Sequence, residues 1–326
     1  MTVPNRMSVS SSFSPCPART LTQPVLELRQ TLARRARKCG LVIPAKKPDA
    51  RPNTEVMFEL YDAKSFPAAS SPLAVNVWNE LLDGYSGALP QHLEGMILYG
   101  AKIGYDPEGP LRTSSRRTTM NLPMDEEAVT HVGREIERRM REGGVRRASE
   151  DEHLVASPIG AVPKHSVSGE RNFRPIHHLS YPKRRARDQS VNDGINATSV
   201  SFRFYQMDKM LREIGAATRR DPANLERRAL WKVDLKDAYR HVVVEQSDAR
   251  LLGFFWPGLG FLYETQLSFG GRSAPFIFNL VAEGFEWILQ SLGVDCHHYL
   301  DDSFGWVDSS RDIPGVVRLI GELPGR

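Results

Sequence analysis

The sequence predicts an α+β fold in which antiparallel hairpins pack on amphipathic helices. Two observations predict it. Short strand-like runs occur in pairs around polar turns, at 159–178, 251–266 and 294–307. Other stretches, at 125–142, 203–217 and 274–292, carry apolar residues at helical spacing. With 326 residues, 40% hydrophobic and 25% charged, the chain can bury a sizeable core. That balance excludes wholesale disorder, a collagen repeat and a disulfide scaffold. No run approaches the ~18 apolar residues of a membrane span, and residues 1–20 lack the apolar centre of a secretory signal. Cys16, Cys39 and Cys296 form no CxxC pair and fit a reducing compartment. The expected location is therefore intracellular, cytoplasm or nucleus, with no membrane partner.

Each element has its own signal. Residues 1–20 are rich in Ser, Pro and Thr and predict disorder. A helix over 22–39 places Val25, Leu28, Leu32 and Ala36 on one face, carries Arg and Lys at its C-terminal end and stops at Gly40. Three prolines over 44–53 make a linker. Residues 72–105 predict two short helices split by Gly84–Pro90, and 106–123 a loop. A helix from Asp125 to Glu142 carries Val129, Val132, Ile136 and Met140, acids at its start and Gly143-Gly144 at its end. Ile159–Lys164 and Phe173–His178 predict a hairpin around the polar loop His165–Asn172. Met207, Met210, Leu211 and Ile214 predict a helix over 203–217. Leu230–Leu235 predicts a buried strand. Leu251–Trp256 and Phe261–Gln266 predict a strand pair around Pro257-Gly258, and Ala274–Leu292 a helix. Val294–Tyr299 and Ser303–Val307 predict a hairpin turning at Leu300-Asp301-Asp302.

Charge is distributed in blocks. Residues 1–51 hold 10 Lys/Arg against 2 Asp/Glu, and 151–228 hold 14 against 9. The block 229–326 reverses this, with 8 against 13. Basic blocks beside an acidic one fit either a polyanion partner near a carboxylate site or ordinary solvated surface charge.

The chemistry gathers in the acidic block. Asp234 closes an apolar strand, and Asp301-Asp302 occupy a tight turn. If those strands are neighbours in one antiparallel sheet, three carboxylates converge. Magnesium takes hard oxygen ligands, usually one or two carboxylates plus substrate phosphates. Two such ions about 3.5–4 Å apart hold the attacking and leaving oxygens of a phosphoryl transfer. Taken singly, Asp-Asp in a turn signals only the turn preference of Asp. His177-His178 and His297-His298 are adjacent pairs on strands and point to opposite faces, so neither pair readily chelates one ion.

Order along the chain adds more. SPIGAVPK (157–164), FRPIHHLSYPK (173–183), SVNDGI (190–195), VDLKDAYRHV (233–242), LLGFFW (251–256), SFGGRSAPFIFN (268–279) and HYLDDSF (298–304) occur in succession. This succession resembles the reverse transcriptase family, in detail the enzymes of DIRS-like retrotransposons, which encode a tyrosine recombinase. Weaker runs, WNELLDGY (78–85) and YGAKIG (99–104), are similar to the segment before the polymerase there, so the resemblance covers about 76–308. Departures are His165, where a second lysine is common, Ser268 and Gly271 in place of the Pro and Leu of LPFGL, a longer loop between Lys164 and Arg174, and an extra basic run after Pro182.

The resemblance implies fingers and palm of a right-hand polymerase, with an antiparallel palm sheet packed on helices. The chain divides into a basic N-terminus (1–52), a helical extension (53–150), fingers (151–228) and palm (229–326). The implied reaction is template-directed DNA synthesis, an RNA-directed DNA polymerase activity, on an RNA or DNA template with primer and dNTPs. Asp234, Asp301 and Asp302 match its catalytic metal ligands for two Mg²⁺, with Mn²⁺ as the alternative. Lys164 and Arg174 match the fingers cations on the β- and γ-phosphates. Asp237 matches the position whose backbone amide meets the triphosphate. Tyr239 matches the aromatic that excludes a 2′-hydroxyl, and Phe269 and Gly270 the loop under the nascent pair. Lys183, Arg184, Arg185 and Arg187 form a basic run that suits a nucleic-acid backbone or a solvated loop. The chain ends 24 residues after Asp302, so thumb, RNase H and recombinase segments are expected downstream or on another chain. A retroelement remnant that keeps the fold and binds nucleic acid weakly, or an unrelated metal-dependent nuclease, is the alternative.

Overall fold

The computed structural model describes residues 23–49, 71–164, 171–183, 189–202, 207–309 and 312–322. In chain order these form α1 (Gln23–Lys38), α2 (Val75–Leu81), α3 (Leu89–Tyr99), α4 (Glu126–Arg141), β1 (Val145–Arg147), β2 (Ile159–Lys164), β3 (Asn172–His177), α5 (Met207–Arg220), β4 (Ala229–Asp234), α6 (Gln246–Ala249), β5 (Gly253–Trp256), β6 (Gly260–Glu264), α7 (Ala274–Ser291), β7 (His297–Tyr299), β8 (Asp302–Val307) and α8 (Ile313–Glu322). All strand pairs are antiparallel, in sheets ordered β1-β6-β5, β2-β3 and β4-β8-β7. The architecture is thus the mixed helix and antiparallel sheet that the sequence predicts. Among the described residues no helix is long and apolar enough to cross a membrane.

Helix α4 forms because the Asp125 carboxylate accepts the Ala128 N–H at 2.8 Å, capping its first turn. Val132 and Ile136 face the core as expected, but Val129 is 42% exposed and Ala128 takes the buried place. Arg139 is buried too, because Glu264 on β6 receives its guanidinium. The β1 strand that follows was not anticipated; it joins α4 to the β5–β6 hairpin. Helix α7 is apolar nearly all round because it is covered on two sides. The β7 strand packs on one side and α3 on the other, with Leu93 and Trp78 closing on Gly284.

Helix α1 belongs to the core: Leu32 and Ala36 are fully buried, and α1 packs on α2 and α8. The disorder predicted for 1–20 lies outside the described residues, as does 203–206 of the predicted helix; α5 is described from Met207 and runs on to Arg220. The expectation of a buried strand at 230–235 needs correcting. β4 alternates, with Trp231 buried and Leu230 63% exposed, because the face that Leu230 shares with Asp234 is open over β4. The turn of the last hairpin is also tighter than expected: Asp302 already pairs with Tyr299 in the ladder, leaving Leu300-Asp301 as the turn.

Candidate active site

The open face of the β4-β8-β7 sheet carries the carboxylates. Asp234 stands directly opposite Asp302 in the β4–β8 register, so both side chains leave the sheet on one face, where directly opposed Cβ atoms lie about 4.5–5.5 Å apart. The ladder continues one step, with the Leu235 N–H donating to the Asp301 carbonyl at 3.0 Å. Asp301 is thereby fixed at the tip of the β7–β8 turn beside the end of β4. Leu300 and Asp237 hold φ of 54° and 55°, the positive values among described non-glycine residues. Such backbone is uncommon outside glycine and clusters where geometry is over-determined. Here the pair flanks the three aspartates.

Lys232, two residues before Asp234 and on the same face, places its ammonium 2.7 Å from Asp302 Oδ2. The hydrogen bond to Asp302 raises its pKa above the usual lysine value, and the fields of Asp234 and Asp301 raise it further. One cation therefore feels all three carboxylates. Among the described residues no group of three His, Cys, Asp or Glu side chains is drawn together closely enough to chelate a metal ion. The donors are nevertheless all carboxylate oxygen, and a magnesium ion needs only one or two of them beside phosphate and water. On donor chemistry the residues fit that ion.

A cleft of about 850 Å³ opens beside them. Asp234, Asp237 and Asp301 line it together with Lys164 and Arg174, and Arg138, Lys236 and Arg240 share the lining. In the β2–β3 register Val162 faces Arg174 and Lys164 faces Asn172, so Lys164 and Arg174 project from one side of the hairpin. The Arg174 guanidinium lies over the Phe269 ring, 4.7 Å from its centroid. Asp237 is half exposed and lies 4.0 Å from Arg138, which also binds Glu135 and Glu142. Asp302 is not among the cleft residues; it sits beside them under Lys232.

Tyr239 is 8% exposed, packed 4.8 Å from the Phe269 ring and 5.5 Å from Phe278. Burial pushes its hydroxyl up to about 12, with Asp301 adding to the shift and Arg174 opposing it. Gly270 has a geometric reason: its φ is +113°, and a Cβ there would lie 1.9 Å from the His177 carbonyl oxygen. The His177 N–H donates to the Phe269 carbonyl at 2.9 Å, so β3 and the glycine loop are laced together.

Sequence reasoning missed the residues that hold this loop. Asn192 donates to the Gly270 carbonyl at 2.9 Å and accepts the Arg272 N–H at 2.8 Å, clamping both ends of the Gly270-Gly271 turn. Its motif, SVNDGI, was visible, but nothing in it announced a clamp. Arg240 and Glu264 carry no local signal; Glu264 is buried next to the loop, and Arg240, paired with it, is 15% exposed.

The paired histidines separate as alternation requires. His298 lies between Glu286 and Asn279 of α7, while His297 stacks towards Trp306, with its Nδ1 3.9 Å from the same Glu286 carboxylate. His177 is buried, with Nε2 2.8 Å from the Gly253 carbonyl oxygen. Lys183 is exposed; Arg184, Arg185 and Arg187 lie outside the described residues.

No family model matches the sequence, and no curated protein does. Among solved structures the chain is similar to the protease-reverse transcriptase of prototype foamy virus. The CSH mutant aligns at 15% identity and a TM-score of 0.48, over 70% of this chain and 26% of that one. The native form aligns at 15% identity and 0.46, over 69% and 26%. This chain thus spans about a quarter of the length of those chains. Likeness at that level decides neither family nor chemistry here.

Proposed function

We propose that this chain is the nucleotidyl-transfer core of an RNA-directed DNA polymerase from a DIRS-like retroelement. Fingers span 151–228, palm 229–326, and a helical extension precedes them. The observation that carries the reading is the pairing of Asp234 with Asp302 at the strand ends, with Asp301 in the adjoining turn, beside a cleft that Asp234 and Asp301 line together with Lys164 and Arg174. Carboxylates and phosphate-binding cations lining one cleft suit a metal-bound polyphosphate.

Asp234, Asp301 and Asp302 would hold two Mg²⁺ or Mn²⁺ ions, which when bound supply activation of a primer 3′-hydroxyl and charge neutralisation on the triphosphate. Arg174 offers a planar fork and Lys164 a point charge to the β- and γ-phosphates. The Asp237 backbone, in its left-handed conformation, turns the chain around the triphosphate. Tyr239, backed by Phe269 and Phe278, would exclude a 2′-hydroxyl. Phe269 and Gly270 support the nascent pair, and Lys183, Arg184, Arg185 and Arg187 contact the template backbone. The partners are an RNA or DNA template, a primer and dNTPs.

A protein that only binds nucleic acid is the second reading, favoured by the Lys232 ammonium on Asp302, where a metal would bind. Extension of an end-labelled primer on a labelled RNA template separates them. A polymerase adds dNTPs, and Asp301→Asn lowers extension by roughly 10³-fold or more while primer–template affinity is kept. Binding without extension supports the second reading, and template cleavage supports a nuclease.

A further inference from the structure

Beside the cleft, with Arg240 in its lining, lies an ion cluster to which the transfer chemistry assigns no role. The Glu264 carboxylate, 3% exposed at the end of β6, receives two guanidiniums. Arg139 of α4 binds both its oxygens, with Nη1 at 2.7 Å from Oε1. Arg240, the residue after Tyr239, donates Nη1 to Oε2 at 2.9 Å and to the Leu267 carbonyl at 2.9 Å. Burial alone would raise the Glu264 pKa, but Arg139 and Arg240 hold it below the usual carboxylate range. Burial pulls Arg240 down to about 10, against the field of Glu264.

The connections run directly to the cleft. Arg240 continues the turn that carries Tyr239, and its guanidinium also lies 6.0 Å from the Phe269 centroid. Its bond to Leu267 ties the start of the glycine loop to the same carboxylate. Phe269 therefore has Tyr239, Arg174 and Arg240 around its ring, and Arg240 alone of these is anchored in the buried cluster. Two guanidiniums share Glu264, with Glu135 as a further acid acting at a distance. Neutralising Glu264 leaves buried Arg139 and partly buried Arg240 without their direct partner, a situation that forces rearrangement.

We propose that Glu264 is a positioning residue for nucleotide selection: through Arg240 it sets where Tyr239 and Phe269 stand at the cleft wall. This rests on the polymerase reading above. Glu264 touches no substrate, so its removal acts on discrimination more than on the chemical step.

The test is steady-state primer extension by the full chain and by Glu264→Gln, with each dNTP and the matching rNTP. The expected result is a KM for dNTP raised by roughly tenfold, a smaller change in kcat, and sugar discrimination reduced several-fold. Glu264→Asp, which keeps the charge, should restore most of the discrimination. If Glu264→Gln yields too little folded protein, Glu264→Gln with Arg139→Gln removes one buried charge of each sign and takes the same readouts. A purely structural role predicts fewer active molecules, hence lower kcat with KM and sugar choice unchanged, and that result overturns the inference alone. A wild-type chain that does not extend primers overturns the polymerase reading and this inference together.

Discussion

The Arg174 guanidinium rests on the face of Phe269, 4.7 Å from the ring centroid, joining the β2–β3 hairpin to the glycine loop in the lining of the cleft. A planar cation suits both jobs this site offers, stacking on an aromatic and gripping phosphate in a bidentate fork. Arg174→Lys keeps the charge and loses both. It should raise KM for dNTP by roughly tenfold with little change in kcat, whereas Lys164→Arg should be mild. Equal effects of the two substitutions in nucleotide titrations would remove the special role of the Arg174–Phe269 stack.

Lys232 and a divalent ion compete for Asp302. The ammonium sits 2.7 Å from Oδ2 and is stabilised by the neighbouring carboxylates. Lys232→Met should therefore lower the Mg²⁺ concentration that gives half-maximal extension, by several-fold. An unchanged or higher requirement would show that the lysine does not occupy the metal's place.

Gly270 and Gly258 make a controlled pair. Both have positive φ, but a Cβ at Gly270 meets the His177 carbonyl at 1.9 Å while one at Gly258 meets nothing within 4 Å. Gly258→Ala should cost about 1 kcal/mol for the backbone strain alone, and Gly270→Ala several times that, since backbone must move. Urea denaturation of the two variants checks this. Equal losses would mean that the loop adjusts freely and that Asn192 does not clamp it.

The carboxylate site was legible because its residues announce themselves at strand ends and in a turn, and antiparallel register then places Asp234 against Asp302 without further information. What escaped depends on partners remote in sequence. Arg139 and Glu264 are 125 residues apart, and nothing local distinguishes them from surface charge. Leu230 looked buried because an apolar run does not reveal which face of its sheet is covered. Helix α8 carries glycine, a poor helix former, at Gly315 in its first turn, and is secured by packing on α1, with Cys39 just beyond α1 closing on Gly315. Local pattern carries the site's chemistry, and long-range packing carries its support.

His177 ties this support to pH. Its ring is buried, with the Nε2–H donating to the Gly253 carbonyl, and its backbone pins Phe269 and excludes any side chain at position 270. Burial lowers its pKa from 6.5 to about 4, with the field of Glu264 opposing and that of Arg240 assisting. Between those values the unfolded chain binds a proton that the folded chain does not. Stability is therefore full above pH 6.5 and is lost as pH falls towards 4, at up to about 1.4 kcal/mol per pH unit and about 3 kcal/mol in total. The ion pairs of Glu264, whose folded pKa lies below 4.5, contribute their own loss only at still lower pH. The interval from pH 6 to 5 is consequently the one to measure, by urea denaturation of the wild type and His177→Phe. The variant sacrifices the bond to Gly253 and should be less stable at pH 7, yet its stability should fall less steeply over that interval by about 1 kcal/mol. Parallel pH profiles for the two proteins would show that another group takes up the proton and that His177 is not buried neutral behind the glycine loop.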